Sequence, residues 1–155
     1  MIGARQEGIT GPITLTHLPY AMPSIAGEAA SLLMEEIKQD PENQEDILLQ
    51  NVLIKEDECT LGSDHFILSD PQIDIPCVMI GQMPDLYYHT SGDTLQRMNL
   101  NVLKYSTVLA ASYVYLLSNM NPEDAQAVYE HQCTHLMKQQ EQKKRKARLA
   151  HKSSK

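Results

Sequence analysis

Cysteine is scarce and scattered in this chain. Cys59, Cys77 and Cys133 are three in number, far apart, and none stands in a C-x-x-C pair. That argues against a disulfide framework and against a cysteine-rich zinc knuckle. The expected setting is a reducing cytoplasm. No charged stretch followed by an apolar one opens the chain, so a secretory signal is not expected. Long apolar runs are missing as well. Val108 to Leu117, the longest nearly uncharged stretch, is too short to cross a bilayer, so no membrane span is expected. There is no repeat period, and no basic segment interleaved with aromatics of the kind that reads nucleic acid. What is present is 155 residues with 42% hydrophobic content, enough for one domain with a modest core.

The net charge of −7 hides a split. Eight basic residues and a single acid, Glu141, lie between Lys138 and Lys155, so the tail carries +7 and the rest of the chain −14. Such a body repels nucleic acid and anionic lipid, and the tail reads as a solvated helix end. Residues after about Lys143 are expected to be exposed and dispensable for the fold.

Gly11-Pro12 marks a turn, after which Ile13 to Leu18 reads as a strand. The prolines at 19 and 23 break the chain. Ser24 can cap a helix whose apolar face is Ile25, Ala29, Leu32, Leu33 and Ile37. Asp40 to Glu45 reads as a surface loop, and Leu48 to Ile54 as a strand. Cys59 to Pro76, rich in Gly, Ser, Asp and Pro, reads as a long loop of the kind that carries function. Cys77 to Ile80 is a short buried strand in this reading, followed by a second loop from Pro84 to Thr94. Asp93 or Asn99 can cap a helix over Leu100 to Leu117, apolar on most sides and therefore expected to be buried. Asn121-Pro122 restarts a helix that runs into the basic tail. The pattern predicts an α/β fold, a partial and mostly parallel sheet flanked by helices. Residues 1–120 form its main part, and residues 121–155 a C-terminal helix with the basic tail.

Two loops hold the chemistry: Gly62-Ser63-Asp64-His65-Phe66, continuing to Ser69-Asp70-Pro71, and Tyr87-Tyr88-His89-Thr90-Ser91-Gly92-Asp93-Thr94-Leu95. In open α/β sheets, ligands collect at loops beyond the carboxyl ends of strands. Imidazole is the commonest metal ligand, yet a loop histidine is more often merely hydrogen-bonded. Asp93 reads equally as a helix cap, and Tyr87 and Tyr88 as packing residues with a polar tip.

Taken in order, Gly-Ser-Asp-His-Phe, a spacer ending in Ile75-Pro76, an apolar strand and Tyr-His-Thr-x-x-Asp-Thr-Leu resemble the end of the di-zinc aminopeptidases of the bacterial leucyl aminopeptidase type. A poorly characterised aminopeptidase-like group of that superfamily is the nearest likeness. The resemblance is firmest from Leu61 to Leu117 and implies a zinc-peptidase (phosphorylase/hydrolase-like) fold. It implies that His89 is a zinc ligand, that Asp93 and Thr94 anchor its loop to the next helix, and that Asp64, His65 and Tyr88 line the site or support the ligand. In the complete enzyme it implies hydrolysis of a peptide or amide by metal-bound water. The second histidine, bridging Asp, Glu pair and further carboxylate of the family pattern have no match here. Glu7, Glu28, Glu35, Glu36 and His17 occupy none of those positions. A single ligand does not hold zinc. The expectation is therefore the C-terminal fragment of a zinc-dependent hydrolase, inactive alone and binding no zinc tightly. The alternative is a non-catalytic interaction module on the same scaffold. Self-association or pairing with an upstream complementary segment is expected, with peptide as substrate only in the complete enzyme. The two loops are expected to meet, with Asp64 and His89 near one another at the carboxyl end of the Cys77 to Ile80 strand.

Overall fold

A computed structural model describes residues 11–19, 22, 24–40, 52–60 and 62–153. The elements are β1 (Ile13–Thr16), α1 (Ala26–Gln39), β2 (Ile54–Asp57), α2 (Asp64–Leu68), β3 (Met79–Gln82), a 3₁₀ turn (Leu95–Arg97), α3 (Leu100–Asn119) and α4 (Pro122–Ser153). They fall into two compact units, Met1–Asn119 and Met120–Lys155.

The first unit is an α/β arrangement built on a three-stranded sheet in the order β2-β1-β3. β1 pairs β2 in parallel, Leu15 opposite Glu56, and pairs β3 antiparallel, Leu15 opposite Ile80. The sheet is thus mixed, where the sequence suggested a mostly parallel one. A short apolar strand such as β3 carries no record of its direction, because side-chain alternation is the same either way.

Alternation along β1 puts Ile13 and Leu15 on one face. There they join Ala30, Met34 and Ile37 of α1, Val52, and Val102, Tyr105 and Leu109 of α3 in one core cluster. The two helices pack on each other, and the Tyr105 hydroxyl ties them by donating to the Met34 carbonyl at 2.9 Å. Burial lifts the phenol of Tyr113, at the edge of this cluster, to a pKa of about 12. The opposite face of β1 and β2 carries Thr14, Thr16, Lys55 and Asp57, with Lys55 and Asp57 ion-paired at 2.7 Å in solvent. A helix layer on one face and a polar second face is the pattern of a sheet with an antiparallel member.

Several boundaries move. The first strand ends at Thr16, two residues early, although the His17 amide still bonds the Asp57 carbonyl at 3.0 Å. α1 starts at Ala26, whose amide is capped by the Ser24 hydroxyl at 3.1 Å. The second strand is Ile54–Asp57 rather than Leu48 to Ile54, so the charged stretch is the part that pairs, with the Leu53 carbonyl just before it accepting from the Ile13 amide at 2.8 Å. The start of that expected strand and the loop expected after Asp40 lie outside the described residues. The third strand is shifted by two, to Met79–Gln82. Asn99, not Asp93, caps α3, accepting from the Asn101 amide at 3.0 Å and the Val102 amide at 3.4 Å.

α3 is not buried as expected. Val102, Tyr105 and Leu109 are inside, but Val114 is 64% and Tyr115 72% exposed. Geometry gives the reason. Four-residue strands extend about 13 Å, while a helix of this length spans about 30 Å, so its second half outruns the sheet. At 20 residues with a mean hydropathy of 1.2, α3 is also long and apolar enough to cross a membrane by length and composition. The expectation that no such segment exists fails because Leu100 to Leu103 extend the apolar stretch upstream, past the lone Lys104.

In the second unit, Asn121 and Asp124 cap α4 reciprocally. The Asn121 side chain accepts from the Asp124 amide at 2.9 Å, and the Asp124 carboxylate from the Asn121 amide at 3.1 Å. Residues 143–149 of this helix are exposed.

Candidate functional site

The first loop contains order that its composition concealed. Asp64–Leu68 forms the short helix α2. Neighbouring helical residues diverge by about 100°, and here the divergence separates the pair: His65 is only 4% exposed, whereas Asp64 faces solvent. His65 Nε2 lies 3.0 Å from the Thr60 carbonyl, and its Nδ1 is buried without a hydrogen-bond partner among the described residues. If Nε2 carries the proton donated to that carbonyl, Nδ1 presents a lone pair. The Ser69 hydroxyl closes the excursion by donating to the Cys77 carbonyl at 3.2 Å and accepting from the Cys77 amide at 3.1 Å.

The second loop is a series of turns. The Asp85 carboxylate accepts from the Tyr87 amide at 2.9 Å. The Thr90 hydroxyl donates to the Tyr87 carbonyl at 2.8 Å and accepts from the Gly92 amide at 3.2 Å. Arg97 lies 4.1 Å above the Tyr87 ring, joining the loop to the 3₁₀ turn. His89 sits at φ +59°, uncommon for a residue with a Cβ, and its exposed ring stacks on Tyr88 at 3.8 Å. A backbone held in that region is a feature of functional loops. Asp93 donates its amide to the Thr90 carbonyl at 3.3 Å, which serves the loop itself.

The sheet sends the two loops off in opposite directions. Asp57 ends β2 beside Thr16, and β3 begins at Met79 beside the same Thr16, so the Asp64 excursion leaves and returns at one end of β1. β3 finishes at Gln82 opposite Ile13, so the His89 loop departs from the other end. The expectation that both loops gather at the carboxyl end of β3 does not hold at the level of the backbone. Its cause is the antiparallel direction of β3.

The profile of peptidase family M28 matches residues 8–114, a span that contains β1, both loops and most of α3. The chain belongs to peptidase family M28. It matches no curated protein and no solved structure.

M28 peptidases are generally zinc-dependent, and a catalytic zinc takes three protein ligands. Among the described residues no group of three or more His, Cys, Asp or Glu side chains is placed to hold a metal ion. His89, exposed and stacked on a tyrosine, belongs to no such group among the described residues. The described residues therefore do not fit a zinc ion at His89. An open groove of about 840 Å³ lies along α3, lined by Leu103, Thr107, Ala110, Val114 and Tyr115 among others. None of Asp64, His65, Tyr88, His89 and Asp93 borders it.

One polar cluster of this M28 chain was not anticipated. His17, just past β1, pairs with Glu56 of β2 through Nε2 and Oε2 at 2.8 Å. The Ser31 hydroxyl of α1 donates to the other Glu56 oxygen at 2.7 Å. Residues 25 and 39 apart in sequence leave no local pattern to find. The hydrogen bond to the Glu56 carboxylate raises the His17 pKa above its usual 6.5, burial opposes it, and the charges of Glu56 and Glu28 add to the rise. A raised histidine stabilises the fold fully below the unfolded value of 6.5, and that contribution is lost as pH climbs through the folded value. Between roughly pH 6 and pH 9, the parent chain should lose on the order of 1 kcal/mol more than Glu56→Gln, measured by urea unfolding. Parallel pH profiles for the two chains would show that the pair is not coupled to folding.

Proposed function

We propose that this chain is the C-terminal portion of a zinc-dependent aminopeptidase-like hydrolase of the bacterial leucyl aminopeptidase type, and that alone it does not hydrolyse aminoacyl substrates. One observation carries the reading: the M28 match runs through both motif loops, yet His89 has no ligand cluster around it among the described residues. In the complete hydrolase, acting on a peptide or amide, the remaining ligands and the general base come from an upstream complementary segment. His89 brings the one imidazole that this chain supplies. Tyr88 and Asp93 line or support the site around it, whereas Asp64 and His65 sit on the loop that leaves the other end of β1. The setting in this reading is the cytoplasm. The test is an aminoacyl-anilide assay with zinc, on the chain alone and on the chain mixed with an upstream M28 segment, each repeated with His89→Ala. Turnover only in the mixture, lost in His89→Ala, is the expected result. Turnover by the chain alone that depends on His89 would overturn it.

A second reading is favoured by a specific feature. Phe66, Ile67, Ile73 and Ile75 are 41–59% exposed within ten residues of the first loop. Apolar groups so concentrated mark a surface that another chain covers. A non-catalytic module that self-associates, or binds a partner through this loop, would show concentration-dependent light scattering weakened by Ile67→Lys with no turnover in any mixture.

A further inference from the structure

The metal chemistry of this chain need not reside in its peptidase motif. α4 runs unbroken from Pro122 to Ser153, so His131 and His135 stand one turn apart on one face. Their ring centroids are 6.1 Å apart, with the planes inclined at 57°. Imidazoles that share one ion at metal–nitrogen distances near 2.0–2.1 Å have their centroids about 5 Å apart. A small rotation of either side chain closes that difference without disturbing the helix. Gln139, one turn further along, has its amide nitrogen 3.2 Å from His135 Nε2. With the amide as donor, Nε2 is the unprotonated nitrogen, the form that ligates metal, and the ion takes the place of the Gln139 amide at that lone pair.

We propose that His131 and His135 form a two-histidine chelate for a divalent late transition metal ion, independent of His89. Imidazole nitrogens suit Zn²⁺, Ni²⁺ and Cu²⁺, and the Irving–Williams order puts Cu²⁺ tightest. Two protein ligands leave the other coordination positions to water. Because the ligands span one turn, the ion clamps α4 and binds the helical form in preference to the frayed one. Nearby Cys133 is a competing soft ligand, half-buried and two residues from each histidine, which places it on a different side of the helix.

The experiment titrates the full chain with Cu²⁺, Ni²⁺ and Zn²⁺ by calorimetry and follows helicity by circular dichroism. One ion per chain, a rise in helicity, and order Cu²⁺ above Ni²⁺ and Zn²⁺ are expected. His131→Ala and His135→Ala should each weaken binding at least tenfold, while His89→Ala and Cys133→Ser leave it unchanged. A register control, His135→Ala with Leu136→His, keeps the histidine count and moves one ring off the shared face. It should bind as weakly as the single variants, with the apo helix content preserved. Binding that survives the register control, or that is lost in His89→Ala or Cys133→Ser, overturns the proposal. The failure of this site leaves the peptidase reading untouched, since that reading is scored on turnover and His89.

Discussion

Tyr105→Ala should lower the unfolding free energy by about 3–5 kcal/mol, the cost of deleting a large buried aromatic and leaving a cavity. Tyr105 is 1% exposed and reaches from α3 into the cluster formed by β1 and α1. Its hydroxyl also links the two helices by bonding the Met34 carbonyl. Against a total of about 5–15 kcal/mol, typical of single domains, that loss leaves little folded protein at moderate urea. Tyr105→Phe isolates the hydrogen bond. The ring still fills the core, and the Met34 carbonyl is in a helix, so the loss should be only about 1 kcal/mol. Urea melts of the three chains decide the matter. Equal losses for Ala and Phe would mean that the hydroxyl, not the ring, holds α3 to α1.

Gly11→Ala should also be damaging, though less so, by overpacking rather than cavity formation. A Cβ on Gly11 would stand 2.6 Å from the Met83 carbonyl carbon and 2.8 Å from the Pro84 nitrogen. Both are backbone atoms, which cannot swing aside as a side-chain tip can. The Gly11 carbonyl also accepts from the buried Gln82 side chain at 3.0 Å. Displacing either partner pulls on the β1–β3 pairing at the end where Ile13 meets Gln82. The expected loss is about 1–3 kcal/mol. Because β3 leads straight into the His89 loop, hydrogen exchange at Gly81 and Gln82 should rise more than at Lys55 in β2. A melting temperature equal to that of the parent would show that the Met83–Pro84 segment yields freely.

Some of this was fixed locally and so was readable in the chain. Asn121 followed by Pro122 must start a helix, because the asparagine caps and proline fits the first turn. The local pattern narrows the cap of α3 only to Asp93 or Asn99, while the apolar spacing of α1 belongs to the same class of signal. So does the ordered pair of motifs around Asp64 and His89, which pointed to a zinc-peptidase relationship before any geometry was known. What residues within one turn of each other decide, the sequence determined.

The tertiary structure decided whatever depends on partners far along the chain. The direction of β3 is one example: Met79 to Gln82 pairs antiparallel with β1, and that reversal sends the Asp64 and His89 loops out from opposite ends of the sheet. The burial of α3 is another, since its apolar faces are alike in sequence, and short strands leave its second half exposed. His65 went inside and Asp64 outside because α2 forms where composition promised only a loop. The His17–Glu56–Ser31 cluster exists because the β1–β2 register sets Glu56 opposite Leu15, close to where His17 leaves the strand. Register and strand direction are global choices, made by which apolar face is buried and against what.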